Sequence, residues 1–274
     1  MKLLSLVFAL TMSTASLAAY KCTLLVPFPP GGATDIMSRT LQIGNPDIEV
    51  DYKPGAFGSV AINQMNKTSN TFILSPAIMY SAKNPIKNLD IELNRIVFAM
   101  PIKILTKKDI NLEDIADSPI KIGVSCKGCP FEGLALEIKD KNQNVSLIVT
   151  GGDAKALPMI MNGDLDIYLT TGVIADNWTN NFKDIKVIGE IPFNKTLKIK
   201  DIELENLAHS GIFTKTSLSN EEKNSINNCI NKSVTSEEFT NQVKKTNLPY
   251  VSLSQTESQQ ILSKYIAFMR KHGL

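Results

Sequence analysis

The stretch VPFPPGGATDI, residues 26–36, decides how this chain is read: a strand ends in a proline-braced loop, two glycines follow, and a helix begins. Pro27, Pro29 and Pro30 fix the backbone and remove competing N–H groups, and Gly31 and Gly32 let the chain approach a ligand closely. The first N–H groups of the helix, around Gly32 to Thr34, have no intrahelical acceptor and lie at the positive end of its dipole, where a carboxylate or phosphate fits. Asp35 stands where its carboxylate can fold back onto the glycine N–H groups, which makes it an organiser of the loop. A strand, Gly-Gly and a helix also describe many plain turns, so the pattern alone leaves both readings open.

Outward from this segment, short apolar runs alternate with helical stretches, the signature of α/β units around a mostly parallel sheet. Strands are expected at residues 23–26, 72–75, 95–106, 120–125, 145–149, 166–170 and 185–188. Helices are expected at 35–43, 60–65, 131–138, 154–162, 221–233, 236–244 and 256–271, the last with Ile261, Tyr265, Phe268 and Met269 on one face. No period of 20–50 residues repeats. The chain has 274 residues, 43% apolar and 20% charged, an ordinary globular composition with length for two modest domains. A net charge of +2 implies neither a nucleic-acid stripe nor an anionic membrane surface, any positive field must be local, and no nucleic-acid partner is expected.

Residues 1–19 combine Lys2, an apolar run from Leu3 to Leu10 and the small residues Ser13, Ser16, Ala18 and Ala19, the layout of a cleaved secretory signal peptide. That run falls short of the roughly 20 residues of a spanning helix. A periplasmic location follows as the expectation, with no stable membrane insertion. The four cysteines, Cys22, Cys126, Cys129 and Cys229, could pair in such a compartment.

Two segments closely resemble the signatures of the Bug-type substrate-binding proteins of tripartite tricarboxylate transporters: VPFPPGGATDIMSRTL, residues 26–41, and YKPGAFGSVA, residues 52–61. KIGVSCKGCPFEGLALEI (121–138), TGGDAKALPMIMNGDLDIYLTTG (150–172) and GIFTKTSLSNEEKNSINNCINKSV (211–234) resemble later family segments, while residues 80–118 do so weakly. The resemblance implies a two-lobed α/β Venus-flytrap fold of the periplasmic-binding-protein class, with two interlobe crossings near residues 99–107 and 209–215. Lobe 1 would comprise 20–103 and 212–274, and lobe 2 would comprise 104–211. It also implies a monomeric receptor, not an enzyme and without a cofactor or metal, that passes a small carboxylate to membrane permease subunits. By position, Phe28, Pro30, Gly31, Gly32, Ala33 and Thr34, beside Asp35, would hold one ligand carboxylate through backbone groups and water. Ser75 and Ala77 would line the same wall. The facing lobe would offer Ser125, Lys127, Gly128, Gly152, Asp153, Thr170 and Thr171.

Two features depart from the family pattern. Asp153 stands where members usually carry Ser or Gly; it would cap a helix beginning at Ala154 or, facing the cleft, repel a second carboxylate and welcome an amine unless Lys127 or Lys155 compensates. Cys126 and Cys129 permit a small disulfide ring, a redox pair or half a metal site. The disulfide is the simplest reading in an oxidising compartment, because no second CxxC accompanies the pair and His209 and His272 are the only histidines. Cys22 and Cys229 form a conceivable second bridge. Trp178 could wall the cleft or pack between strand and helix, and His209 suits a hinge or a surface. The competing functions are a ligand-sensing subunit of a two-component system and a thiol oxidoreductase using Cys126 and Cys129. Gly-x-Ser-x-Gly, His-Glu-x-x-His and Walker motifs are all absent.

Overall fold

A computed structural model describes residues 21–80, 86, 89–251 and 253–274, so the signal-peptide expectation lies outside the described residues. The chain forms two five-stranded mixed sheets of matching construction. The first is laid down by β1 (Cys22–Val26), α1 (Ala33–Gly44), β2 (Ile48–Tyr52), α2 (Ser59–Met65), β3 (Thr71–Ser75) and β4 (Glu92–Ala99). The chain crosses into β5 (Ile102–Thr106) and builds the second through β6 (Ile120–Val124), α3 (Pro130–Lys141), β7 (Val145–Val149), α4 (Asp153–Asn162), β8 (Ile167–Thr171), α5 (Gly172–Asn181) and β9 (Lys186–Ile191). A hairpin, β10 (Thr196–Ile199) and β11 (Ile202–Glu205), precedes β12 (His209–Thr214), which returns to the first sheet, and α6 (Asn220–Val234), α7 (Glu237–Thr246) and α8 (Gln255–Lys271) complete the chain.

The strand orders are β2-β1-β3-β12-β4 and β7-β6-β8-β5-β9. In each, three parallel strands are followed by an antiparallel strand at a chain crossing: β12 on the return to the first sheet, and β5 on entry into the second. The three parallel strands of each sheet are joined through helices, and the first-loop segments of both sheets lie at the C-terminal ends of their strands.

Four expectations need correction. Residues 95–106 are two strands, because Pro101 cannot donate into a ladder and the chain leaves one sheet there for the other. The segments 48–52, 172–181, 196–205 and 209–214 are regular elements that periodicity did not isolate: 172–181 is a ten-residue helix, 196–205 a hairpin of two four-residue strands, and 48–52 and 209–214 are short strands whose partners lie elsewhere in the chain. On α8 the deepest face is Ser258, Leu262, Tyr265 and Met269, one residue round from the expected Ile261. His209 is not on the surface: it is fully buried, its Nδ1 2.9 Å from Leu207 O, and burial brings its pKa down to about 4, so the ring is neutral.

The crossings lie side by side. Met100 N–H donates to Ala208 O at 3.1 Å, and the fully buried Asn206 amide donates to Met100 O (2.8 Å) and Ile191 O (2.7 Å). A separate contact ties α8 to α3, where Phe268 covers Gly133 and Lys271 pairs with Glu137 at 2.6 Å. Helix starts are sealed by Ser219–Glu222 and Ser254–Glu257 capping boxes. Among the described residues no helix is long and apolar enough to cross a membrane.

Both bridges are present: Cys126–Cys129, which the spacing permits, closes the loop after β6, and Cys22–Cys229, which the sequence leaves only conceivable, ties β1 to α6. Close packing at the same helix layer makes Gly44 irreplaceable. A methyl built there would sit 2.6 Å from Ser233 O and 2.8 Å from Phe239 Cβ, and backbone cannot step aside. Gly44→Ala is therefore expected to destabilise by about 2–3 kcal/mol, read as a lower denaturant midpoint at unchanged slope.

Candidate functional site

The first wall grows from the end of β1. Gly31 adopts φ +97°, and its N–H donates to Asp35 Oδ2 at 2.8 Å, so the carboxylate folds back on the glycine loop as expected. Asp35 also accepts from Arg39 Nε (2.7 Å) and from the Tyr52 hydroxyl. Burial would raise the Asp35 pKa, but the donors from Tyr52, Gly31 and Arg39 outweigh it and hold the carboxyl below its ordinary range. With this acid occupied inside the loop, and the Asp35 and Ile36 N–H groups closed onto Gly32 O, the amides left over at the helix start are those of Gly32, Ala33 and Thr34.

The second sheet repeats the device. Gly128, at φ +73°, gives its N–H to the carboxylate of the buried Glu132, four residues on in the first turn of α3. The Cys126–Cys129 bridge encloses this turn, with Cys129 as the N-cap of the helix.

Asp153 does not cap α4. Gly152, at φ +134°, holds the N-cap position, and Asp153 is the first helical residue. Its Oδ1 accepts from the Tyr168 hydroxyl (2.8 Å) and from Thr170 Oγ1 (3.0 Å), neighbours on one face of β8. The residue as a whole is half-buried, but its carboxylate is turned inward, and burial outweighs the two donors and raises its pKa. Its Oδ2 faces the other lobe: a methyl built on Gly32 would lie 3.9 Å from it. Ala33 packs against the cluster that contains Tyr168 and Trp178, and Val173 packs into the core of the first lobe, so the two walls meet here.

Gly31, Gly32, Ala33, Thr34 and Asp35 thus lie together on one loop and helix start with Pro30 exposed beside them, Asp153 and Thr170 lie together on the second lobe with Asp153 facing Gly32, and Phe28 packs against both cores of the first lobe. Ser125 lies near the Tyr168 phenol. Other expected residues point elsewhere. Thr171 Oγ1 caps α5, the Ala77 side chain packs in the first lobe's core, and Ser75 Oγ is buried without a hydrogen-bond partner. Lys127 is exposed, and neither it nor Lys155 is ion-paired to Asp153. Trp178 takes its packing role, stacked on Tyr168 at 5.3 Å. Tyr168 is the participant the motifs missed; its signal is period two, because it shares a strand face with Thr170.

No family model matches the sequence, and no curated protein matches it either. Solved structures do. Rpa4515 of Rhodopseudomonas palustris, with adipate, superposes with a TM-score of 0.71 at 16% identity over 92% of this chain and 95% of that one. The fold is that of a periplasmic binding protein. MatC from Rhodopseudomonas palustris, with bound malate, shares it at TM-score 0.69 and 14% identity, covering 91% of this chain and 98% of that one. A TctC solute-binding protein from Polaromonas gives 0.64 at 16% identity, over 92% and 98%. Within this fold, the Gly31–Thr34 loop of the first lobe and Asp153 of the second face each other, a methyl built on Gly32 lying 3.9 Å from Asp153 Oδ2.

Proposed function

We propose that this protein is a periplasmic receptor, not a catalyst, that captures a small carboxylate between its lobes and delivers it to permease subunits of the tripartite tricarboxylate type. The observation that carries this reading is the start of α1, where Asp35 is engaged by Gly31, Arg39 and Tyr52 and the Gly32, Ala33 and Thr34 amides are left over at the positive end of a 12-residue helix, facing the second lobe. The sequence resemblance at residues 26–41 and 52–61, and the malate and adipate named for two structures of the same fold, support the same ligand class. We assign lobe 1 to the residues up to Met100 and from Ala208 onward, and lobe 2 to those between, because Ile102 already pairs in the second sheet and His209 in the first.

The mechanism is closure by population shift. A ligand held by the α1 amides gains contacts from the β8 wall only when the lobes meet, so its binding free energy favours the closed form, and the closed form is what a membrane partner can recognise. The test is a thermal-shift panel of mono-, di- and tricarboxylates, with mass spectrometry of small molecules released from natively purified protein. A cognate carboxylate at about 100 times its Kd is expected to raise the melting temperature by roughly 5–10 °C. No shift across the panel and no carboxylate in the released fraction would overturn the reading.

A further inference from the structure

The inward-turned Asp153 carboxylate is foreign to a cleft that only grips anions. Its Oδ1 is fixed by Tyr168 and Thr170, both donors, so the group remains an acceptor toward the cleft. Its Oδ2 has no hydrogen-bond or ion-pair partner from another residue among the described residues, and it faces the Gly32 end of α1. The neighbouring base does not neutralise it: Lys155 is exposed, with its ammonium on the Gly151 side of the loop. Two carboxylates, the ligand's and Asp153's, would thus crowd onto one helix start at short range in a partly dehydrated cleft, which is unfavourable unless a positive charge lies between them.

We propose that Asp153 receives a ligand ammonium, so that the receptor takes α-amino acids, with their carboxylate on the Gly32–Thr34 amides and their amine on Asp153 Oδ2. This rests on the carboxylate-receptor reading and narrows it. The closeness of the two walls selects the α-amino arrangement, in which both charged groups hang from one carbon; a diacid offers only negative groups to both walls. Asp153 is then a specificity-determining residue, and Tyr168 and Thr170 are positioning residues that aim its free oxygen.

The test is calorimetry on the full mature chain with the twenty L-amino acids, their deaminated counterparts (L-aspartate against succinate, L-glutamate against glutarate, L-alanine against propionate) and their N-acetyl derivatives. An amino acid is expected to bind about 100-fold more tightly than its deaminated and N-acetyl partners, and Asp153→Asn is expected to weaken it at least ~30-fold while the deaminated acid, relieved of the facing charge, binds more tightly than to wild type. Wild-type protein that binds succinate or glutarate as tightly as the amino acid overturns the proposal and leaves the carboxylate receptor standing. Unchanged amino-acid affinity in Asp153→Asn does the same. No binding in any series overturns both. If Asp153→Asn does not fold, the amino-acid against N-acetyl comparison on wild-type protein decides alone.

Discussion

Replacing Cys22 and Cys229 together by alanine is expected to lower the unfolding free energy by about 5 kcal/mol and the melting temperature by roughly 10–20 °C. The bridge joins residues 207 apart, so in the chain-entropy account it removes far more freedom from the unfolded chain than Cys126–Cys129, whose separation is 3. It also pins the first strand of the sheet to a helix laid down after the chain has visited the second lobe and returned. Removing the short bridge is expected to cost about 2 kcal/mol. Denaturant melts of wild type, both double variants and reduced wild type check this, and equal losses from the two pairs would refute the loop-length account.

Asp35→Ala is expected to remove most ligand affinity, about 100-fold or more, and about 2–3 kcal/mol of stability. The carboxylate is the common acceptor for Gly31 N–H, Arg39 and Tyr52, and without it the loop amides lose the anchor that aims them at the cleft. The pH dependence has a definite sign. The native pKa of Asp35 lies below its unfolded value, so the native state holds its proton less tightly than the unfolded chain. Its contribution is therefore whole above about pH 4 and is lost as the pH falls through the lower native value. Acid titrations of stability should show this limb in wild type and a flatter one in Asp35→Asn, which keeps an acceptor but no charge. An unchanged acid limb in that variant would show that Asp35 does not drive it.

The parts legible in the sequence are those with local physics. Strand, glycine pair and helix at residues 22–44 are specified within a few residues, as is the return of Asp35 onto Gly31. What stayed hidden depends on distance along the chain. The strand 209–214 earns its place only by pairing with β3 and β4, laid down more than 100 residues earlier. Asp153 looks like a helix cap from its neighbours, yet Tyr168 and Thr170, 15 and 17 residues on, claim its oxygen once β8 lies beside the helix start. Cys22–Cys229 could be named as conceivable but not placed, since spacing along the chain says nothing of spacing across a sheet. Pro101 was a visible signal: a residue that cannot donate into a ladder marked where the chain would change sheets.

The two crossing segments, laid flat against one another and stitched by Met100, Asn206 and Ala208, have a mechanical meaning. A pair of joined ribbons behaves as a leaf spring, compliant to bending about one line and stiff in torsion. If the lobes close as proposed, a joint of this build favours one line of bending, which would bring the α1 amides and the β8 wall to the same alignment at each closure.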